Sequence, residues 1–141
     1  MSYRITNEYV CGGAIEDRTA VLAQTLRTLA ELSLECGEAA AYLKYSRRLA
    51  RCDADSAEEV MYEAYAAAAR LYNERGDQAM YRELLQRALD IRQDDAKLML
   101  ALADAIWENG DHEGARVWYR RSLAREPDQP QRIRIMERLG E

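Results

Sequence analysis

Residues 107–130 read WENGDHEGARVWYRRSLAREPDQP, and what they form decides the fold. Apolar and polar residues alternate at helical spacing on both sides of Gly110-Asp111, and Glu126-Pro127 closes the run. Glycine suits the left-handed backbone that ends a helix, and aspartate starts the next one by accepting from free backbone N–H groups. The residue before a proline avoids the helical region, so the second helix stops at Glu126. The stretch reads as the middle of a helical hairpin.

Working outward, the same arrangement recurs. Residues 71–95, LYNERGDQAMYRELLQRALDIRQDD, align with it at a shift of 34, which sets Gly76-Asp77 on Gly110-Asp111 and Ala88-Leu89 on Ser122-Leu123. Residues 32–53, LSLECGEAAAYLKYSRRLARCD, set Cys36-Gly37-Glu38 against the same turn, 39 residues before Gly76. The five extra residues fall in the connection around Ala54-Asp55. Ser56-Ala57-Glu58-Glu59 fits a capping box. The pattern predicts helices at about 16–36, 38–52, 56–75, 77–92, 95–109, 111–125 and 130–139.

Composition agrees with an all-α chain. It has 141 residues, 48% hydrophobic and 32% charged, with two prolines and seven glycines. That is enough for one domain with its own core. No apolar run approaches the roughly 20 residues that span a bilayer, and the start, MSYRITNEYVCGG, lacks a basic region followed by a hydrophobic one. Cys11, Cys36 and Cys52 cannot all pair and show no C-x-x-C spacing, so a reducing, cytoplasmic location is expected. Cys36 and Cys52 are expected to be small buried hydrophobes. A net charge of −5 disfavours attraction to nucleic acid or to an anionic membrane.

In its repeat length and its pattern of large and small positions, the chain resembles the tetratricopeptide repeat family. In the third copy Met99 stands where the family has Trp, Leu102 and Ala103 where it has Leu-Gly, and Ile106 where it has Tyr. Ala115, Tyr119 and Pro127 take the places of its Ala, Phe and Pro. The second copy offers Tyr65, Ala68, Ala69 and Tyr72, but Tyr81 replaces the small alanine and Gln93 the proline. The first offers Leu26, Leu29, Ala30, Ser33, Tyr42 and Ser46. The resemblance covers about residues 23–129. It implies a TPR-type α-α superhelix, or solenoid, of three helical hairpins (repeats about 23–55, 62–95 and 96–129) plus a C-terminal capping helix. Residues 1–15 would be a tail and 16–141 the repeat domain.

Ala30, Ala69 and Ala103 are expected where the helices of each hairpin cross closely. One hairpin cannot bury its apolar side alone, so neighbouring copies stack. In the capping helix, Ile133, Met136 and Leu139 are expected on the packing stripe, with Arg132, Arg134 and Arg138 mostly off it.

The resemblance also implies that the first helix of each hairpin lines a concave groove. These helices carry a net charge of −2 each and the partner helices together about +4. The faces are either simply solvated or form an acidic groove for a basic or apolar peptide. The groove-facing positions are Arg27, Glu31, Leu34, Glu63, Arg70, Asn73, Lys97, Leu100, Asp104, Trp107 and Glu108. Trp107 either anchors a ligand, as tryptophan often does, or packs on the next helix. Some family members clamp a terminal carboxylate with Lys, Asn and Arg. Here those places read Arg27, Glu31, Ala67, Lys97 and Ala101, which argues against that clamp.

Catalysis has little to stand on. His112 is the only histidine, and the cysteines lie on unrelated elements without a nucleophile motif. CDADSAEE lacks the glycine and ligand spacing of a calcium loop, and VCGGAI lacks a phosphate-binding context. No catalytic residue, cofactor or metal is assigned. The expected function is a non-catalytic protein-interaction module: an adaptor, an assembly factor or a chaperone of the secretion type. The alternatives are a scaffold that self-associates by stacking array ends, an RNA binder using the arginine-rich second helices, and a cysteine-dependent enzyme. The tail, with Tyr3, Ile5, Tyr9 and Val10, is either a free segment or an internal peptide for the groove.

Overall fold

The computed structural model describes residues 15–140, and side-chain surroundings from residue 17 onward. The tail and Cys11 lie outside the described residues. Among the described residues seven helices follow one another: α1 (Ile15–Glu35), α2 (Ala39–Cys52), α3 (Ala57–Glu74), α4 (Gln78–Ile91), α5 (Ala96–Glu108), α6 (His112–Arg125) and α7 (Arg132–Leu139). Each lies within two residues of its expected bounds. No described helix is long and apolar enough to cross a membrane.

The three glycine turns are built alike. Gly37, Gly76 and Gly110 have φ of 75, 81 and 94°, the left-handed region that excludes most side chains. At each, the N–H of the residue after the glycine reaches back to a carbonyl of the helix before it. Glu38 donates to Ser33 at 2.8 Å, Asp77 to Tyr72 at 2.9 Å and Asp111 to Ile106 at 3.3 Å. This closes the carbonyls that a helix end leaves open.

Asp77 and Asp111 then cap the next helix, accepting from the N–H groups of Met80 and Gly114. Glu38 makes no such side-chain bond. Asp95 caps α5 by accepting from Lys97 and Leu98. Before α3 the Ser56 hydroxyl donates to the Asp53 carbonyl at 3.4 Å.

The chain divides into two units, Met1–Ala64 and Tyr65–Glu141. In the first, α1 packs along α2, with Leu26 and Ala30 buried on α1 and Ala39, Leu43 and Ser46 buried on α2. In the second, α5 packs with α4 and α6, and α6 with α7. Its core includes Leu100, Ala103, Ala115, Tyr119 and Ile135. Ala30, Ala69 and Ala103 are all buried.

Two expectations are corrected. In α7 the buried residue is Ile135, at 0% exposure, whereas Ile133 is 77% exposed. The packing stripe is Ile135 with Leu139, one helical turn apart, rather than Ile133 with Met136. Cys36 is exposed and Cys52 only half-buried. Both fall at helix ends, where the side chain leaves the packing seam.

Candidate functional site

In the second unit, α5 carries Lys97, Leu100, Asp104 and Trp107 at three- and four-residue spacings, so they share one face. Lys97 is exposed, Leu100 is buried, and Asp104 and Trp107 are half-buried. The Asp95 cap fixes the start of this helix, and Asn109 ends it by donating to the Ala105 carbonyl at 3.2 Å.

Asp104 is the electrostatic centre of the face. Arg134 reaches it at 3.2 Å through its second guanidinium nitrogen and Arg138 at 3.1 Å, both from α7. The Tyr119 hydroxyl also donates to it. Burial, with the Asp104 carboxylate beside it, pushes the Tyr119 phenol up to about 12. Tyr81 on α4 is raised by burial and then by the charges of Asp104 and Glu108. The Arg134 guanidinium is raised by its hydrogen bond to Asp104. Asp104, expected to select positive charge from a partner, is therefore met by two arginines of the same unit.

Trp107, which the sequence left as either a ligand anchor or a packing residue, lies half-buried against the core. Its ring stacks on His112 at 3.8 Å between centroids and meets Tyr119 edge-on at 6.2 Å. Arg138 lies 5.0 Å from its centroid and Arg116 5.8 Å. Cations over an indole face are attracted by the ring quadrupole. Trp107 therefore ties α5 to α6 and α7.

Beside this cluster the surface sinks into an open pocket of about 400 Å³. Leu100 and Ala101 give it an apolar side, Gln129, Pro130 and Gln131 form the wall before α7, and Lys97, Asp104, Glu126 and Arg134 carry the charges. The wall is held from inside: Gln129 donates through its amide to Ser122 Oγ at 3.1 Å and to the Glu126 carbonyl at 2.9 Å. Ser122 in turn donates to the Ala96 carbonyl at 2.9 Å.

Of the other expected positions in this unit, Arg70, Asn73 and Glu108 are exposed, and Asn73 accepts from Gln78 Nε2 at 2.9 Å. Arg27, Glu31 and Glu63, in the first unit, are exposed and Leu34 is half-buried. Arg134, Arg138 and Gln129 are among the residues of the site that lie outside the groove positions expected from sequence. The four-residue spacing of the two arginines marks them as one helical face. Gln129, in the α6–α7 connection, turns back to Ser122 on α6 and to the Glu126 carbonyl.

No family model matches the sequence, and no curated protein does. Solved structures do match in fold. The C-terminal TPR-containing domain of a Plasmodium falciparum FK506-binding protein superposes with a TM-score of 0.60 at 13% identity, covering 89% of this chain and 88% of that one. MamA matches with a TM-score of 0.56 at 19% identity, over 84% of this chain and 64% of that one. An O-GlcNAc transferase of Thermobaculum terrenum matches with 0.52 at 21% identity, over 86% of this chain but 22% of that one. This chain therefore spans less than two thirds of the MamA chain and a smaller part of the transferase. At these identities the likeness is one of fold: an all-helical array of α-α hairpins, the solenoid class of the tetratricopeptide repeats.

Proposed function

We propose that this chain, folded as tetratricopeptide-type hairpins, is a non-catalytic protein-interaction module that seats a segment of a partner protein on the α5 face of its second unit. The observation that carries this reading is the open pocket beside Leu100 and Ala101, apolar on one side and charged with both signs around it. Such a depression suits an apolar side chain flanked by polar or charged neighbours. Glu108, exposed on the same helix, favours positive charge elsewhere on that segment, and Glu31 and Glu63 would favour it on the first unit. Trp107 shapes the end of the face by holding α5, α6 and α7 together. A surface this small supports micromolar affinity, about 8 kcal/mol. Adaptor, assembly-factor and chaperone roles all draw on the same contact.

The test is a pair of site-specific photocrosslinkers in the source cell, one at Ala101 beside the pocket and one at Arg120, exposed on α6. Capture of a protein at Ala101 and not at Arg120, lost with Lys97→Glu, supports the reading. Capture at Arg120 alone would place the contact elsewhere and sink it.

A further inference from the structure

Helix α1 buries Leu26 and Ala30 against its own unit but leaves a second stripe uncovered. Val21 is 66% exposed and Leu32 52% exposed, with the exposed Thr25 and Thr28 between them. The spacings are four, three and four, the 3.5-residue period of a two-helix seam. Three residues beyond each end stand exposed charges of opposite sign, Arg18 and Glu35.

The two threonines do not make the seam polar. Thr25 Oγ1 donates to the Val21 carbonyl at 2.9 Å and Thr28 Oγ1 to the Gln24 carbonyl at 3.0 Å. Their hydroxyls are satisfied within the helix, so covering them leaves no donor without a partner. The apolar part of the stripe, from Val21 to Leu32, is about 17 Å long at 1.5 Å per residue, and the charged ends Arg18 and Glu35 extend it to about 25 Å.

Its order reads the same from both ends: charge, apolar, threonine, threonine, apolar, opposite charge. A two-fold axis passing between positions 26 and 27 sets Val21 against Leu32 of a second copy and Thr25 against Thr28. The same axis sets Arg18 against Glu35 at both ends. No single shift of register satisfies all three pairings in parallel, because like charges would then meet like. We propose that α1 pairs antiparallel with α1 of a second copy of this chain through this self-complementary stripe, making a two-fold dimer. A closed, isologous contact of this kind stops at two copies, unlike stacking of array ends. Its short seam makes the dimer weak, with dissociation in the micromolar range. The inference is independent of the α5 face and does not rest on the proposed function.

Sedimentation equilibrium of the full chain, from about 1 to about 100 µM to bracket that affinity, reads the outcome. The mass is expected to rise from the 16.2 kDa monomer toward twice that value. Leu32→Glu is expected to hold it at the monomer. Arg18→Glu and Glu35→Arg, each alone, are expected to weaken the dimer by about threefold to tenfold, since both end pairs turn repulsive. Mixing those two variants is expected to restore association as a heterodimer, because at both ends an acid of one variant then meets an arginine of the other. These positions are exposed, and circular dichroism checks that each variant stays helical. A full chain that is monomeric throughout overturns the proposal. So does a dimer that ignores Leu32→Glu, or one that forms only after residues 1–13 are deleted, which would make that segment the occupant.

Discussion

The Tyr119 hydroxyl donates to the carboxylate of Asp104, joining α6 to α5 at the point where Arg134 and Arg138 arrive from α7. One carboxylate thus collects a phenol and two guanidinium groups from two further helices. Asp104→Ala strips all of these of their common acceptor. It is expected to lower stability by about 1.5–3 kcal/mol in urea unfolding, the range for hydrogen bonds to charged groups. Asp104→Asn should recover part of that loss, since an amide oxygen still accepts.

The same cluster sets a pH dependence. A phenol ionises near 10.0 in the unfolded chain, and Tyr119 is pushed up to about 12 by burial and by Asp104. The folded state therefore holds the proton more tightly. Stability from this source is complete below about pH 10 and is lost as pH rises from about 10 to about 12. Urea midpoints measured across that interval should fall, and Tyr119→Phe should flatten the fall.

On α7, Ile135 and Ile133 make a matched pair. Ile135→Ala empties a site with 0% exposure and is expected to cost about 2–4 kcal/mol. Ile133→Ala, at a residue 77% exposed, should change stability by less than about 0.5 kcal/mol. Hydrogen exchange would localise the first effect to α7 and to the end of α6.

At the turn before α6, Gly110 has φ of 94°. A Cβ added there meets nothing within 4 Å, so the cost of Gly110→Ala is backbone strain alone. About 1–2 kcal/mol is expected from thermal or chemical unfolding. Gly76→Ala should cost about as much, since that turn is built the same way.

Ser122, fully buried on α6, donates to Ala96 and accepts from Gln129. Ser122→Ala removes both bonds and weakens the wall of the α5 pocket. A loss of about 1–2 kcal/mol is expected. Any ligand of the pocket should also bind less tightly to this variant than to Ile133→Ala, which leaves the wall intact.

Much of the fold was legible in the residues. Gly37, Gly76 and Gly110 punctuate the chain because only glycine takes φ near 80° at little cost. Asp77 and Asp111 follow them because a short carboxylate reaches the open N–H groups of the next turn. All of these act over one or two turns of chain, and a linear sequence displays such neighbours directly.

Which side chains meet across helices depended on the tertiary structure. In α7, Ile133, Ile135 and Met136 permit two apolar stripes, and the Tyr119 core accepts the one through Ile135. Asp104 carries a charge that a linear reading counts as free, until residues 30 and 34 positions further on bring the guanidinium groups of Arg134 and Arg138 to it. Trp107 is half-buried for a similar reason, since His112, Tyr119 and Arg138 gather around its ring from α6 and α7. Backbone turns follow from local geometry and strain. The pairing of charges and rings follows from which helices pack, and a sum over the whole chain decides that.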